Sequence, residues 1–219
     1  MLKKTFVRPV LVALALLYMC CFLSCSRRAP EFGELDFTPI DPAEYEQTDE
    51  VTDLVKISVV DFGDIVIRLY PEVAPKTVKN FQSLVAQKFY DGLIFHRVVE
   101  NFVVQTGSPT GDAPGGSSER IKGEFDDNGF ENNLKHIKGT VSMARGASDM
   151  DSASSQFFIV HKTTTQNSAM LNGKYASFGY VIYGMDVVDA IAKRPVRSDD
   201  SKPITPIVIE SICFIKPIE

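Results

Sequence analysis

The sequence of 219 residues has no tryptophan, only four cysteines and no cluster of basic residues. Cys20, Cys21 and Cys25 lie close together near the start, and only Cys213 lies in the body of the chain. Because a disulfide framework needs cysteine pairs spread through the domain, this spacing excludes one. The net charge is −5, and nucleic-acid binding needs concentrated lysine and arginine, so a nucleic-acid partner is not expected.

Residues of the kind that bind metals are also few and badly spaced. Of the three histidines, His136 and His161 lie far apart in the sequence and lack the spacing of zinc ligands. Glu124, Asp126 and Asp127 lack the regular alternation of a calcium-binding loop and indicate a solvated acidic loop instead. We therefore expect no metal and no cofactor.

The first part of the chain has the pattern of an export signal. Lys3, Lys4 and Arg8 precede an almost unbroken apolar run from Val10 to Leu23. The run is short for a bilayer span, so residues 1–24 are predicted to be a signal peptide, with a permanent single-span anchor as the alternative. Removal of these three cations would make the net charge −8.

The end of the apolar run, Phe22-Leu23-Ser24-Cys25, resembles the bacterial lipobox. In that motif an apolar pair and a small residue precede a cysteine that is lipidated and becomes the mature N-terminus. The resemblance implies a lipoprotein that is anchored in the membrane of a bacterial cell envelope through Cys25. The alternative is that the cysteines are ordinary apolar residues of a signal peptide.

Residues 25–53 are acidic and rich in proline. Nine acidic and no basic residues lie between Ala29 and Asp53, together with three prolines. Like charges repel one another and proline opposes helix formation, so the segment is predicted to be an extended, poorly ordered tether. A docking peptide for a partner is the alternative.

Residues 54–219 have the alternating pattern of a mainly β domain. An apolar alternation that turns at Asp61-Phe62-Gly63 predicts a β-hairpin, and later short runs predict further strands. Helical spacing predicts two helices, near Pro75–Gln87 and Met185–Ala192. Many short strands with two helices favour a closed antiparallel barrel capped by the helices. The long connections Gly107–Lys138 and Arg145–Ser155 are expected to be functional, because long ordered loops usually are.

Six short blocks of this domain form an ordered set. They are Phe95-His96-Arg97, Asn101-Phe102-Val103-Val104-Gln105, Ser142-Met143-Ala144, Ser155-Gln156-Phe157-Phe158-Ile159, Leu171-Asn172-Gly173-Lys174-Tyr175 and Phe178-Gly179. These blocks resemble the cyclophilins, and all of them follow the order of that family. The resemblance covers essentially Leu54 to the C-terminus and implies an eight-stranded barrel with peptidyl-prolyl cis-trans isomerase activity.

Prolyl isomerisation needs a fixed hydrogen-bond donor rather than a nucleophile or a metal. The nitrogen lone pair of the peptide bond localises when the bond is twisted, and a donor aimed at it stabilises the transition state. Arg97 suits this role because its guanidinium is permanently charged and presents several N–H groups on one plane. The resemblance gives Gln105 the role of orienting Arg97 and the substrate carbonyl.

The resemblance also assigns the substrate-binding residues. Phe102, Val103, Phe158 and Leu171 would line the proline pocket, and the backbone at Arg145 would pair with the substrate main chain. Met170 stands where many eukaryotic members carry the tryptophan that contacts cyclosporin, so weak drug binding is implied. Taken singly, the apolar members of this set are more typical of core residues. The full substrate-binding set is Phe102, Val103, Ala144, Arg145, Phe158, Met170, Leu171 and Tyr175.

The favoured function is an isomerase that acts on proline-containing unfolded or extended polypeptides during folding of exported or envelope proteins. The domain is expected to be monomeric. A membrane-tethered binding module or holdase without turnover is the second hypothesis, and a structural lipoprotein with a degenerate domain is the third. Arg97 favours catalysis, because a purely apolar groove would not need a buried donor.

Overall fold

A computed structural model describes residues 28–112, 115–117 and 119–218. Over these residues the chain forms one antiparallel β-sheet and three α-helices. The predicted leader and Cys25 lie outside the described residues. The strands are β1 Tyr45–Thr48, β2 Leu54–Val59, β3 Gly63–Leu69, β4 Arg97–Val99, β5 Val103–Thr106, β6 Thr140–Met143, β7 Phe157–Val160, β8 Ser177–Tyr183 and β9 Ile209–Pro217; the helices are α1 Pro75–Ala86, α2 Thr165–Leu171 and α3 Met185–Ala192.

The predicted hairpin is present as β2 and β3, which pair in antiparallel register. Val55, Ile57 and Val59 on β2 are buried, and the residues between them are partly exposed. This alternation follows from the two-residue period of a strand with one face against the core. The turn places Asp61 and Gly63 at positive φ, where glycine is favoured.

The sheet differs from the predicted closed eight-stranded barrel. Its order is β1-β9-β2-β3-β8-β6-β7-β5-β4, so the described part of the chain contributes nine strands and leaves β1 and β4 at the edges. Between the β4 and β9 sides there is an isolated bridge, Ile94 with Val208, and a backbone hydrogen bond of 3.0 Å from Phe95 N to Ile207 O. These contacts link the two sides without a continuous strand ladder.

Helix α1 begins at Pro75, as the sequence predicted, and its apolar face is buried in the core. The backbone N–H groups of Lys76 and Thr77 donate to the carboxylate of Glu124 at 3.0 and 2.8 Å. Glu124 is only 1% exposed. Its predicted place in a solvated loop is therefore wrong: the carboxylate satisfies N–H groups that the first helical turn leaves without partners.

Helix α2 was not predicted. Its seven residues are mostly polar, so they carry no apolar stripe at helical spacing. The side-chain oxygen of Thr164 accepts a hydrogen bond of 3.0 Å from Asn167 N, which is a normal N-cap. This cap is the local signal for the helix, and Leu171 at its end is buried.

Large aromatic side chains fill the centre of the fold. Phe81 from α1 lies 5.3 Å from Tyr90 and from Phe157 and 5.2 Å from Phe178, measured between ring centroids. All four side chains are fully buried. Tilted and edge-to-face contacts at these distances are favourable beyond the burial of apolar area.

The segment from Glu31 to Thr48, which we call the N-terminal strap, is packed against the sheet. Leu35 is 8% exposed and joins the main core. Phe37 lies 4.7 Å from Tyr180 between ring centroids, and Tyr70 Oη donates a hydrogen bond of 2.6 Å to Asp36 O. The prediction of a poorly ordered tether is thus wrong for these residues, because a few apolar side chains among the charges find buried positions.

The strap also adds strand β1 to the edge of β9. Ile40 and Tyr45 pack on an outer apolar cluster formed by Val66, Ile182, Cys213 and Ile215. The acidic side chains of the strap stay exposed, so their charge does not oppose this packing. Over the described residues, no helix is long and apolar enough to cross a membrane.

Candidate active site

An open groove of about 710 Å³ lies along strands β4, β5 and β7 and the end of α2. All ten residues that the sequence proposed for catalysis or substrate binding line it. These are Arg97, Phe102, Val103, Gln105, Ala144, Arg145, Phe158, Met170, Leu171 and Tyr175. Residues from five separate sequence blocks therefore meet at one surface.

The floor of the groove is an apolar cluster that is distinct from the main core. It consists of Val103, Phe158, Val160 and Leu171, all buried. Strand pairing explains this grouping, since β5 lies beside β7 with Val103 opposite Val160. Phe102, Ala144 and Tyr175 pack around the floor, and Tyr175 meets Phe158 edge to face at 5.7 Å between centroids. The pocket can therefore hold a small apolar ring.

A chain of polar side chains runs beside the apolar floor. Arg97 on β4 is paired with Gln105 on β5, and Arg97 Nη1 lies 3.4 Å from Gln105 Oε1. Gln105 Nε2 donates to Gln156 Oε1 at 2.8 Å. Among the described residues, no carboxylate lies within 4.0 Å of the Arg97 guanidinium. Arg97 is thus positioned by an amide and keeps N–H groups for a ligand.

Several lining residues were not named from the sequence. Gln156 holds Gln105 and also donates through Nε2 to Gly115 O. The remaining lining residues come from the two long connections that the sequence singled out, namely Gly115, Gly116, Ser117, Arg120, Gly146, Ser152 and Ser154. Gln156 stands next to Phe157 in a recognised block, so its position in the block was the available signal.

The turn before Phe102 is fixed by side chains from outside the groove. Asn101 has a positive φ of 64°, and its N–H donates to His161 Nδ1 at 2.9 Å. Asn167 Nδ2 donates to Asn101 O at 2.8 Å. These two bonds hold a backbone conformation that non-glycine residues adopt less often, and they set the position of Phe102.

His136 packs against Phe158, a residue of the groove floor. Its ring stacks on Phe158 at 6.1 Å between centroids. Nδ1 lies 3.0 Å from Asn172 Oδ1, and Nε2 lies 3.0 Å from Ser142 Oγ. The Asn172 oxygen can only accept, so Nδ1 carries the proton and Nε2 accepts from Ser142. Burial lowers the pKa of His136 to about 4, which keeps the ring neutral at neutral pH.

We expect His136 to make the protein less stable in mild acid. Its pKa is about 4 when folded and 6.5 ordinarily, so the unfolded chain binds the extra proton between these values. The stabilisation is complete above pH 6.5 and is lost as the pH falls towards 4, by up to about 3 kcal/mol. Denaturant unfolding of wild type and His136→Asn across this range measures it. Parallel pH dependences of the two proteins would contradict the prediction.

The groove combines an apolar pocket with a fixed guanidinium and amide donors, on a scaffold of antiparallel strands. Over the described residues, no group of three histidine, cysteine, aspartate or glutamate side chains could hold a metal. The arrangement is that of a protein that grips an apolar ring in a polypeptide and donates hydrogen bonds to the adjoining backbone.

Comparisons with known proteins agree with this class. The protein-family model described as cyclophilin type peptidyl-prolyl cis-trans isomerase/CLD matches residues 54–213. The chain belongs to this family and is a cyclophilin-type peptidyl-prolyl cis-trans isomerase. The strap lies before the matched range.

Three of the similar proteins come from eukaryotes. Peptidyl-prolyl cis-trans isomerase-like 3 of Mus musculus is 40% identical over 153 residues, which are 69% of this chain and 90% of that protein. Peptidyl-prolyl cis-trans isomerase ppi1 of Schizosaccharomyces pombe is 42% identical over 149 residues, covering 67% and 90%. A crystal structure of a Cryptosporidium parvum cyclophilin-type isomerase, in the presence of the dipeptide Ala-Pro, gives a TM-score of 0.65 at 32% identity and covers 73% and 97%.

Proposed function

We propose that this isomerase acts on proline-containing unfolded or extended segments of exported proteins, with Arg97 as the catalytic donor. The observation that carries the proposal is the ordered chain Arg97–Gln105–Gln156 beside a separate apolar pocket. Gln105 orients the guanidinium, and the pocket around Phe158 binds the proline ring.

The chemistry follows from the electronic structure of the peptide bond. Rotation about it is opposed by roughly 18–20 kcal/mol, because the nitrogen lone pair is delocalised into the carbonyl. In the twisted transition state the lone pair is localised on nitrogen and can accept a hydrogen bond. A donor that meets this nitrogen only in the twisted state stabilises the transition state more than either ground state.

The apolar pocket supplies the complementary half of the mechanism. If the ring is held by Phe102, Val103 and Phe158, rotation moves the preceding carbonyl while the proline stays in place. The Ala-Pro dipeptide in the related Cryptosporidium parvum structure supports a proline-peptide ligand for this chain. No protein nucleophile or metal is required in this scheme.

The second hypothesis is a holdase that binds proline segments in the same groove without turnover. The Arg97 guanidinium, which meets no carboxylate among the described residues, favours catalysis, because a permanent charge beside an apolar floor adds little to the binding of an apolar ring. A protease-coupled isomerisation assay on the protein without its leader decides between the two. Catalysed exchange supports the enzyme, whereas peptide binding at the uncatalysed rate supports the holdase.

We further propose a bacterial envelope location with a lipid anchor at Cys25. The support is the basic start, the short apolar run and the Leu23-Ser24-Cys25 sequence. Five residues separate Cys25 from the strap at Glu31. The six steps from Cys25 to Glu31 span at most about 20 Å when the chain is extended. Because the strap is packed on the domain, the anchor would hold the domain close to the membrane surface.

Replacing Cys25 with serine tests this location. We expect the variant to accumulate as an unprocessed precursor or to leave the membrane fraction, since several acyl chains on one cysteine give stable attachment. Mass spectrometry of the mature N-terminus and fractionation measure the two effects. Cys20→Ser is the matched control and should remain processed. A mature protein that begins at another residue and carries no lipid would refute the anchor.

A further inference from the structure

The charged side chains that line the groove all have the same sign. They are Arg97, Arg120 and Arg145, and none of the described aspartates or glutamates lines the groove with them. The chain as a whole is acidic, with a net charge of −5. A positive groove on an acidic protein is not explained by overall composition, and it favours ligands of negative charge.

The three arginines differ in what already satisfies them. Arg120 forms an ion pair with Asp149 on the opposite connection, so its charge is compensated. Arg97 already has the catalytic role proposed above. Arg145 has no carboxylate within 4.0 Å in the described part of the chain. Arg145 is therefore the groove arginine whose charge neither an ion pair nor the proposed catalytic role accounts for.

The Arg145 guanidinium is nevertheless held in a defined place. Its Cζ lies 5.1 Å from the Phe125 ring centroid and 4.9 Å from that of Tyr175. Its Nε donates to Lys174 O and its Nη1 to Gly146 O, both at 2.9 Å. Nη2 has no hydrogen-bond partner among the described residues. A fixed guanidinium with a free edge loses little conformational entropy when it binds a carboxylate.

We propose that Arg145 makes the enzyme prefer substrates with an acidic side chain close to the prolyl bond. The inference rests on the proposed placement of the peptide in the groove. Tyr175 contacts both the guanidinium and Phe158, so Arg145 lies one aromatic ring away from the proline pocket. An Asp or Glu side chain near the proline is therefore within reach, and its bond to Arg145 is charge-assisted.

Matched peptides measure this preference. Each peptide carries Ala-Pro and one Glu, Gln or Lys, and the charged position is scanned along both sides of the proline. At the favoured position we expect kcat/KM for the Glu peptide to exceed that for the Lys peptide about three- to tenfold. The ratio should shrink in high salt, because the screening length falls from about 10 Å at 0.1 M to about 3 Å at 1 M.

Arg145→Gln should bring the Glu-to-Lys ratio close to one. Arg194→Gln is the matched control: it removes the same charge from an arginine that lies over Phe62, outside the groove, and should leave the ratio unchanged. Arg145→Lys keeps the charge without the planar fork and should retain part of the ratio.

The outcomes separate this inference from the proposed function. If wild type isomerises the Gln peptides but shows no charge preference at any position, the specificity role is overturned while the isomerase stands. The role is also overturned if Arg145→Gln, folded by circular dichroism, keeps the full ratio. If no peptide is isomerised by the wild type, the proposed function itself is wrong.

Discussion

Replacing Arg97 with alanine is expected to lower kcat/KM for prolyl isomerisation by about 10²–10³-fold, the usual effect of removing one donor that acts on the transition state. The structure supports an effect of this size because Arg97 is held by Gln105 and contacts no carboxylate among the described residues. Uncatalysed exchange takes about 10–100 s, so the residual activity is measurable. The fold should survive, since Arg97 is only partly buried.

Two controls make this result specific to the guanidinium. Arg197→Ala removes an exposed arginine whose ion pair with Asp200 lies outside the groove lining, and it should leave kcat/KM unchanged. Arg97→Lys keeps a positive charge but loses the planar fork that meets Gln105, so we expect it to recover little activity. Wild-type rates in a folded Arg97→Ala protein would exclude Arg97 as the donor and favour a mechanism that depends on the apolar pocket alone.

Much of the site was predictable because it is built from strands. Side chains two residues apart on β5, Val103 and Gln105, lie on the same face of the strand, and β5 pairs with β4 and β7. Arg97 is directly opposite Gln105 in that register. The period-two pattern that identified the strands thus also predicts which residues share a face. The family resemblance of the ordered blocks implied that the strands carrying them lie together in the fold.

The wrong predictions concern residues whose partners are distant in sequence. The sequence predicts that Glu124 lies in a solvated loop, but its carboxylate caps a helix that begins 49 residues earlier, at Pro75. The strap is predicted to be poorly ordered because charged residues and proline dominate its composition. Composition averages over a segment, whereas Leu35 is buried in the main core and Phe37 packs against that core while partly exposed. Local sequence patterns carry no information about such contacts.

The strap gives the second large effect, on stability rather than on catalysis. The double variant Leu35→Ala and Phe37→Ala is expected to lower the free energy of unfolding by about 4 kcal/mol. Leu35 is 8% exposed in the main core, and Phe37 contacts both Tyr70 and Tyr180. Losing these contacts should also weaken the attachment of β1, which would then be held by its backbone pairing with β9 and by the packing of Ile40 and Tyr45 on the outer apolar cluster.

Denaturant unfolding followed by circular dichroism measures the change. Val51→Ala is the matched control, since Val51 is an apolar residue of the same acidic segment that is 61% exposed, and it should cost no more than about 0.5 kcal/mol. The groove is lined from β4, β5 and β7, whereas the strap contacts β3, β8 and β9, so kcat/KM at low temperature should stay near the wild-type value.

A double variant as stable as Val51→Ala would mean that the strap does not hold to the domain in solution. The acidic segment would then act as the loose tether that its composition predicts, and the membrane anchor would no longer keep the domain close to the surface.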